Sequence, residues 1–572
     1  MANGFGTLWV GASGLQSSQN ALNVTANNLT NMNVNGYVRQ QVMFADNQYT
    51  TFSSAAISRQ QAGLGVSIGD VVHARDIFLD RAYRSETGRQ SFYQASFDAV
   101  EEVETFLQEM NGEAFKGAIS DLYESFSEFA KAPGDTVNQN LVVQKSSLFL
   151  SRAAAVYDGL QDYQSIINTK ITKDCNRINE IGKEIFKLNL QIQKIEAADI
   201  ETAMSMRDDR DALLDELATF GKVTYEETPE SVVKVNLDGT QFVIEDRYFE
   251  VGLKTDKLNG FVTPYWTHLS DPSREDYYNV FDLSRASADT DSDIGEVKAL
   301  LLARGDRATT YADMEKLEDY QYEKTLSNSI MMNSLSELDG LVHSVVTAIN
   351  DAFSPLKEYG GAQTTATDAA GNTYVILPTT KIADTENCSV GSDGQIPPME
   401  LFTRVATPRY TEATLADGTK IYLYNEEDSS DIGTQYTINN LDINRALIEE
   451  ESYLPHMTQD GQIDYNLGKT LEAIWEKEDY YLNPSDTTPC SFQNFYTKWI
   501  GEIGTTGSIY RTTSETLKDT ATTINNNRQQ TMGVSSDEEL TNIIKYQNAY
   551  NASSRFINAI NEMIEHLITN LQ

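Results

Sequence analysis

Leu8, Leu15, Leu22 and Leu29 recur at seven-residue intervals, with Ala12, Gln19 and Ala26 in the intervening positions. These alternating four- and three-residue steps put side chains on one stripe of a supercoiled helix. They predict a helix over about 8–29, roughly 33 Å long. The far end repeats the design: Ile543, Tyr550, Ile557, Ile564 and Leu571 are spaced by seven, and Tyr546, Ser553, Ile560 and Leu567 fill the second stripe. Ser535 or Ser536, followed by Asp537, Glu538 and Glu539, predicts the start of that helix. After the first helix, Asn33 to Gly36 predicts a turn with Gly36 at positive φ. "YVRQQVMF" then alternates, with Val38, Gln40, Val42 and Phe44 on one face of a strand.

Between the ends the period changes several times. From Arg75 to about Phe220 the chain is helix-like, and Ile178, Ile181, Ile185, Leu188, Ile192 and Ile195 step three and four residues apart, predicting a long bundle or coiled-coil helix. "VVKVNLDGTQFVIEDRYFEV" alternates around Asp238-Gly239, a hairpin signal. Helix returns over 294–303 and 313–353. Residues 355–504 carry Asp-Gly turns at Asp393, Asp417 and Asp460 and aromatic strands such as "KIYLYN", which predicts a separate β-rich domain displayed outward. The expected fold is a mainly α core, with coiled-coil terminal helices and a long helical bundle, carrying inserted β-rich outer domains. The expected division is 1–45 with 530–572 as the terminal coiled coil; 46–222 with 294–354 and 505–529 as the bundle; 223–293 and 355–504 as the β-rich insertions. Nested insertions of this kind predict a rod with both termini together at its base.

Charge sharpens the picture of the ends. The chain has 572 residues and a formal net charge of -40, yet no Asp, Glu, Lys or Arg occurs before Arg39. A solvated helix normally carries Lys and Glu on its outer face, whereas this one offers Asn, Gln, Ser and Thr. An uncharged polar face can approach copies of itself without repulsion. Either stripe alone fits a helix packed on its own domain. Two at the termini, one with a neutral face, predict a subunit that stacks against identical neighbours. The acidic balance argues against nucleic acid or anionic lipid as partner, and no apolar run is long enough for a membrane span. With no positive residue before Arg39, no secretory signal peptide is expected.

Candidate chemistry is sparse. The three cysteines form no Cys-x-x-Cys pair, and their spacing decides nothing about pairing between Cys388 and Cys490. Five scattered histidines lack zinc-site spacing. "DTDSDIGE" (289–296) has Ile294 and Leu300 where a calcium loop needs Gly and Glu, so it reads as an acidic linker opening a helix at Gly295-Glu296. Asn23, Asn28 and Asn551 match the glycosylation tripeptide, by chance where no signal peptide is expected. No metal, no cofactor and no catalytic residue are expected, and the chain does not read as an enzyme.

"SGLQSSQNALNVTANNLTNMNVNGYVRQ" (13–40) resembles the N-terminal motif of the flagellar rod, hook and hook-associated proteins, whose core is Ala-Asn-Asn-Leu-x-Asn followed by Gly-Tyr. The chain has Val34-Asn35 where that family often has Thr-Pro or Thr-Ala, and Asn35 still suits a turn. Arg39-Gln40, "LYESFSEFAKAPGD" (122–135), "MRDDRDALLDELATFGKVTYEE" (206–227) and "DEELTNIIKYQNAYNASSRFINAINEMIEHLITNL" (537–571) are similar to the junction members between hook and filament. The visible likeness covers both ends and the helical stretches to about Ser354, but not 355–504.

The resemblance implies a structural subunit that polymerises at the distal end of the hook and joins hook to filament. Implied partners are a ring of identical subunits, the hook protein, a second hook-associated junction protein or flagellin on the distal side, and an export chaperone. It also implies an extracellular place in the bacterial flagellum, reached through the flagellar type III channel without a cleaved signal. The expected self-assembly residues are Leu8, Leu15, Leu22, Leu29, Asn28, Asn31, Gly36, Tyr37, Ile543, Tyr546, Tyr550, Ile557, Ile564 and Leu571. A hook or distal-rod protein is the near alternative. An exported enzyme or adhesin built on 355–504 is the distant one.

Overall fold

The computed structural model describes residues 2–34, 36–54, 59–108, 115–197, 202–284 and 286–569. Asn35 and Leu571, both named in the sequence readings, lie outside them. The chain opens with helix α1 (Ala2–Asn31), which begins before its first leucine. Strands β1 (Gln40–Asp46), β2 (Tyr49–Ser54), β3 (Arg59–Gly63) and β4 (Val66–His73) follow. β1 pairs antiparallel with β4, with a bulge at Met43/Phe44, and β2 pairs with β3. Residues 46–73, expected in the bundle, are therefore mostly strand. Their alternation of short polar and β-branched residues supplies no apolar helical stripe.

The bundle starts with α2 (Ile77–Gln108), α3 (Phe115–Lys131), α4 (Thr136–Glu196) and α5 (Met204–Phe220). α4 runs 61 residues, roughly 90 Å. The Asp135 carboxylate caps it by accepting the Val137 N–H, just after the turn at Pro133. Its expected isoleucine stripe is the core stripe: Ile178, Ile181, Ile185 and Ile192 are fully buried, and Leu188 and Ile195 partly so.

The first insertion carries five strands, β5 (Val223–Glu227), β6 (Val233–Leu237), β7 (Thr240–Val243), β8 (Val251–Thr255) and β9 (Val262–Trp266), in sheets β5-β6-β7 and β8-β9, with two short 3-10 turns after them. Asp238 and Gly239 (φ 48° and 83°) make the tight β6–β7 turn that Asp-Gly predicts. α6 (Glu296–Arg304) opens directly after Gly295, and Asp293 of the acidic linker is buried against Arg89 and Tyr93 rather than ligating. The helix expected over 313–353 is broken into α7 (Tyr311–Glu315), α8 (Asp319–Thr325) and α9 (Ile330–Phe353). Of these, only α9 is long enough to cross the core.

The second insertion departs most from expectation. β10 (Leu356–Glu358), β11 (Thr364–Asp368), β12 (Thr373–Ile376), β13 (Lys381–Ala383), β14 (Phe402–Arg404), β15 (Tyr410–Leu415), β16 (Lys420–Tyr424) and β17 (Leu441–Ile443) are present. A six-stranded sheet, β10-β13-β16-β15-β11-β12, encloses a small core of its own around Ile376, Ile382, Leu415 and Leu423. The rest is not separate. α10 (Arg445–Glu449), α11 (Tyr465–Glu476) and the start of α12 (Phe492–Met532) feed Leu447, Leu471, Trp475, Phe492, Phe495 and Trp499 into the bundle core. Phe492, Phe495, Tyr496 and Trp499 are spaced as one helical face, and their rings pack on Trp475 and Phe115. α12 thus begins at Phe492, well before 505, and runs back along α2. The last helix is α13 (Ser536–Thr569), entered from Ser535. Cys175, Cys388 and Cys490 are buried free thiols.

One carboxyl in this core titrates far from its usual range. Glu337 on α9 is buried, accepts from Asn483 Nδ2 (3.0 Å) and Tyr322 OH (3.4 Å), and is pushed up to about 8, chiefly by burial and then by Glu502. A carboxyl raised in the folded state contributes stability that is complete below the unfolded value of 4.5 and is lost as pH rises through about 8. Glu337→Gln keeps the acceptor and removes the proton. Denaturant unfolding is therefore expected to show a shallower loss of stability between pH 4.5 and 8 in the variant than in the native chain; equal slopes would refute the assignment.

Candidate functional site

α1 and α13 lie antiparallel. A side chain at Gly11 would meet Ile557 and one at Gly14 would meet Ser553, while Asn28 reaches Glu539 at the other end. Both chain ends therefore sit at one end of the pair. On α13 the side facing α1 carries most of the expected stripe: Ile543, Tyr546, Tyr550, Ser553, Ile557 and Ile564 are half-buried and Ile560 is buried, whereas Leu567 is exposed. On α1 the seam is Gly11, Gly14, Ser18, Ala21, Thr25 and Asn28, not the leucines. The cause is distance. A Cβ on Gly11 would come within 2.6 Å of Ile557, so only short side chains fit where the helices touch.

Leu8, Leu15, Leu22 and Leu29 flank the seam, each half-buried, and Ala12, Gln19 and Ala26 beside them are exposed. The other flank of α1 rests on the β4 hairpin, where Ser17 Oγ donates to Val66 O (3.1 Å). Asn31 is spent locally, donating to Asn27, and does not reach α13.

The pair is fastened to the bundle at one joint. Asn28 is its polar centre: its Oδ1 accepts from Tyr37 OH (2.8 Å) and Gln40 N–H (3.0 Å), and its Nδ2 donates to Gln40 O (2.9 Å) and Glu539 (3.3 Å). At 1% exposure Asn28 is a structural asparagine, which also removes it as a glycosylation acceptor. Gly36, at φ 82°, and Tyr37 turn the chain into this position. Burial raises the Tyr37 hydroxyl to about 12, keeping it a donor.

Arg39, the first charge in the sequence, closes the joint. Its side chain pairs with Glu538 (2.7 Å) and Glu539 (2.8 Å), its N–H donates to Met532 O (2.8 Å), and its carbonyl accepts from Ala74 N–H (2.9 Å). The chain passes between the terminal unit and the bundle at 73–77 and again at 532–536, and Arg39 bonds to both passages.

Behind it α5 supplies the support. Asp208 accepts the Val38 N–H (3.2 Å), and its other oxygen lies 3.6 Å from His73 Nε2. Burial raises Asp208 to about 7, and burial with Arg75 and Arg207 lowers His73 to about 4. Between about pH 4 and 6.5 the folded pair holds one proton, on Asp208. The unfolded pair also holds one, on His73, whose ordinary value is 6.5 against 3.8 for Asp208. The pair therefore adds no pH slope to stability there.

Beneath it, Arg84 and Arg528 (2% and 4% exposed) bridge Asp80, Asp211 and Asp215: Arg528 to Asp80 (2.7 Å) and Asp215 (2.9 Å), Arg84 to Asp215 (2.6 Å) and Asp211 (3.2 Å). Arg75 joins the same belt through Asp80 (2.7 Å) and Asp211. Apart from Arg75, just before α2, these residues come from α2, α5 and α12, far apart in sequence. The segment 206–227 stands out in the sequence only by its resemblance, and nothing local points to the belt. Among the described residues no metal-like cluster occurs and no helix is long and apolar enough to cross a membrane.

Removing one partner of a buried pair leaves the other uncompensated, a loss of about 3–5 kcal/mol where burial is complete. Glu539→Ala is expected to release the terminal pair by about 2–3 kcal/mol, since Arg39 keeps Glu538. Hydrogen exchange should accelerate in α1 and α13 with α4 unchanged; uniform protection in all three would contradict the joint.

Three family models match the chain in order. "Flagella basal body rod protein" matches 8–37, "Flagellar hook-associated protein FlgK helical domain" matches 100–354, and "Flagellar basal body rod FlgEFG protein C-terminal" matches 527–570. Flagellar hook-associated protein 1 of Bacillus subtilis (strain 168) is 22% identical over 575 residues, covering 97% of this chain and 96% of the relative. That of Escherichia coli (strain K12) is 22% identical over 596 residues, covering 97% and 98%. Both alignments run through 355–504, where no motif was visible. The solved flagellar hook junction protein FlgK from Burkholderia pseudomallei superposes with a TM-score of 0.47 at 13% identity, covering 80% of this chain and 100% of that one. Rod-type sequence at both termini, with the hook-associated helical domain between them, makes the chain similar to flagellar hook-associated protein 1 over nearly its whole length.

Proposed function

We propose that the chain is a structural subunit of the bacterial flagellum that polymerises at the distal end of the hook and forms the junction between hook and filament. One observation carries this reading. The pairing seam between α1 and α13 is closed by small residues, so the leucine flank and the uncharged face of α1 are left over. Leu8, Leu15, Leu22 and Leu29 then pack against the terminal helices of neighbouring copies, with Ala12, Gln19 and Ala26 at the contact. Ile543, Tyr546, Tyr550, Ile557 and Ile564 hold the seam from the other side, while Asn28, Gly36 and Tyr37 fix its angle to the bundle. Exposed Ile544, Phe556, Met563 and Leu567 on α13 extend the apolar surface offered to a neighbour.

In this reading the partners are a ring of identical subunits, the hook protein below, and a second junction protein or flagellin above. An export chaperone covers the terminal helices before assembly through the flagellar type III channel. The role is structural, and assembly rather than catalysis is the activity.

A charge in the flank is the test. Leu22→Asp, and independently Gln19→Asp at an exposed position, are expected to abolish incorporation at the hook tip and to lower motility at least about tenfold, because an unpaired carboxylate would be buried at each repeat. The melting of the bundle should be unchanged. Normal filaments with Gln19→Asp would remove the leucine flank from the interface.

A further inference from the structure

In a chain with 84 acidic and 44 basic residues, three cations line one small pocket beside the arginine belt. It lies between α2 and the start of β5, has a volume of about 390 Å3, and is lined by Arg81, Arg84, Ser85, Lys222, Thr224 and Tyr225, with Asp291 as its one carboxylate and Ile294 at its edge. The two guanidiniums lie over the Tyr225 ring, Arg84 at 4.6 Å and Arg81 at 5.7 Å from its centre.

The hydrogen-bonding of these cations is incomplete. Arg84 is 2% exposed, and Asp215 and Asp211 take its Nε and Nη2, but its buried Nη1 has no partner among the described residues. Arg81 meets no carboxylate at ion-pair distance among the described residues. Lys222 donates to the carbonyl of Asp291, at 3.1 Å, and its charge is felt by the Asp238 carboxyl without a direct ion pair among the described residues. A buried donor left unsatisfied costs about 1–3 kcal/mol, and while Arg84 is balanced by Asp211 and Asp215, Arg81 and Lys222 have only Asp291 as a carboxylate lining the pocket. Something that accepts several hydrogen bonds and carries negative charge would relieve both.

We propose that this pocket binds a compact tetrahedral oxyanion of the phosphate or sulfate class. Guanidinium groups present paired N–H donors that match such an ion, and the ammonium of Lys222 and the hydroxyls of Ser85 and Thr224 supply further donors around it. Aromatic stacking on Tyr225 holds Arg81 and Arg84 side by side before the ion arrives. The ion would bridge α2, the first strand of the inserted sheet and the 291–294 segment that leads into α6, fastening the insertion to the bundle.

The test uses the full chain and its R81Q/K222Q variant, which leaves Arg84 and its aspartates untouched. Inorganic phosphate is titrated at constant ionic strength against chloride, followed by phosphorus NMR line width and by thermal unfolding. The native chain should bind phosphate saturably, sulfate should displace it, and the melting temperature should rise over matched chloride. The variant should bind about tenfold or more weakly and lose the rise. No saturable binding by the native chain, or an equal rise in both proteins, overturns the site, the latter because phosphate strengthens burial in any protein.

Discussion

The terminal helices depend on Arg39. On the α1 side the seam is made of glycine, serine, alanine, threonine and Asn28, which bury little apolar area of their own, and an isolated helix of such composition is marginal in water. What fixes the pair is polar and local: Arg39 bonded to Met532, Ala74, Glu538 and Glu539, with Asn28 tying Tyr37, Gln40 and Glu539 together. The bundle obeys the opposite rule. Its α4 stripe is mostly fully buried isoleucine, and its buried arginines are paired inside. The molecule thus joins a firm body to a pair whose outer surface is largely uncommitted.

Much of this was legible in the sequence, and the failures have physical causes. Most of the C-terminal stripe and the α4 isoleucines are legible, because long apolar side chains at helical spacing have few other uses; Leu567, placed in the stripe, is exposed. On α1 the same logic gives the neighbouring stripe: leucines are the conspicuous residues, but the closest helix contact excludes them and selects the short residues beside them, Gly11, Gly14, Ser18, Ala21 and Thr25. The aromatic face of α12, Phe492 to Trp499, has helical spacing yet sits in a stretch rich in strand-forming residues, so the sequence pattern places it in a β-rich domain. The joint was half visible. Asn28, Gly36 and Tyr37 stood out as a motif, whereas Glu539, Asp208 and His73 are brought to it only by the fold.

Charge placement links the two halves. A net charge of -40 would make close stacking costly if it were spread evenly, and α1 carries none of it. The bundle meets its own acidity by pairing Asp80, Asp211, Asp215 and Asp293 with arginines at low exposure. The neutral face is therefore a segregation of charge along the chain rather than a lack of it.

Two passages of chain connect the terminal pair to the bundle, and one residue is bonded to both. A single covalent passage would act as a swivel, free to rotate about its own backbone bonds. Two passages cross-pinned at Arg39 act as a weld: a twist applied to the helix pair is shared between two backbones and delivered to α2 and α12, which lie side by side. Torsion entering at the termini is carried into the long helices as a couple, without any single loop bearing it alone.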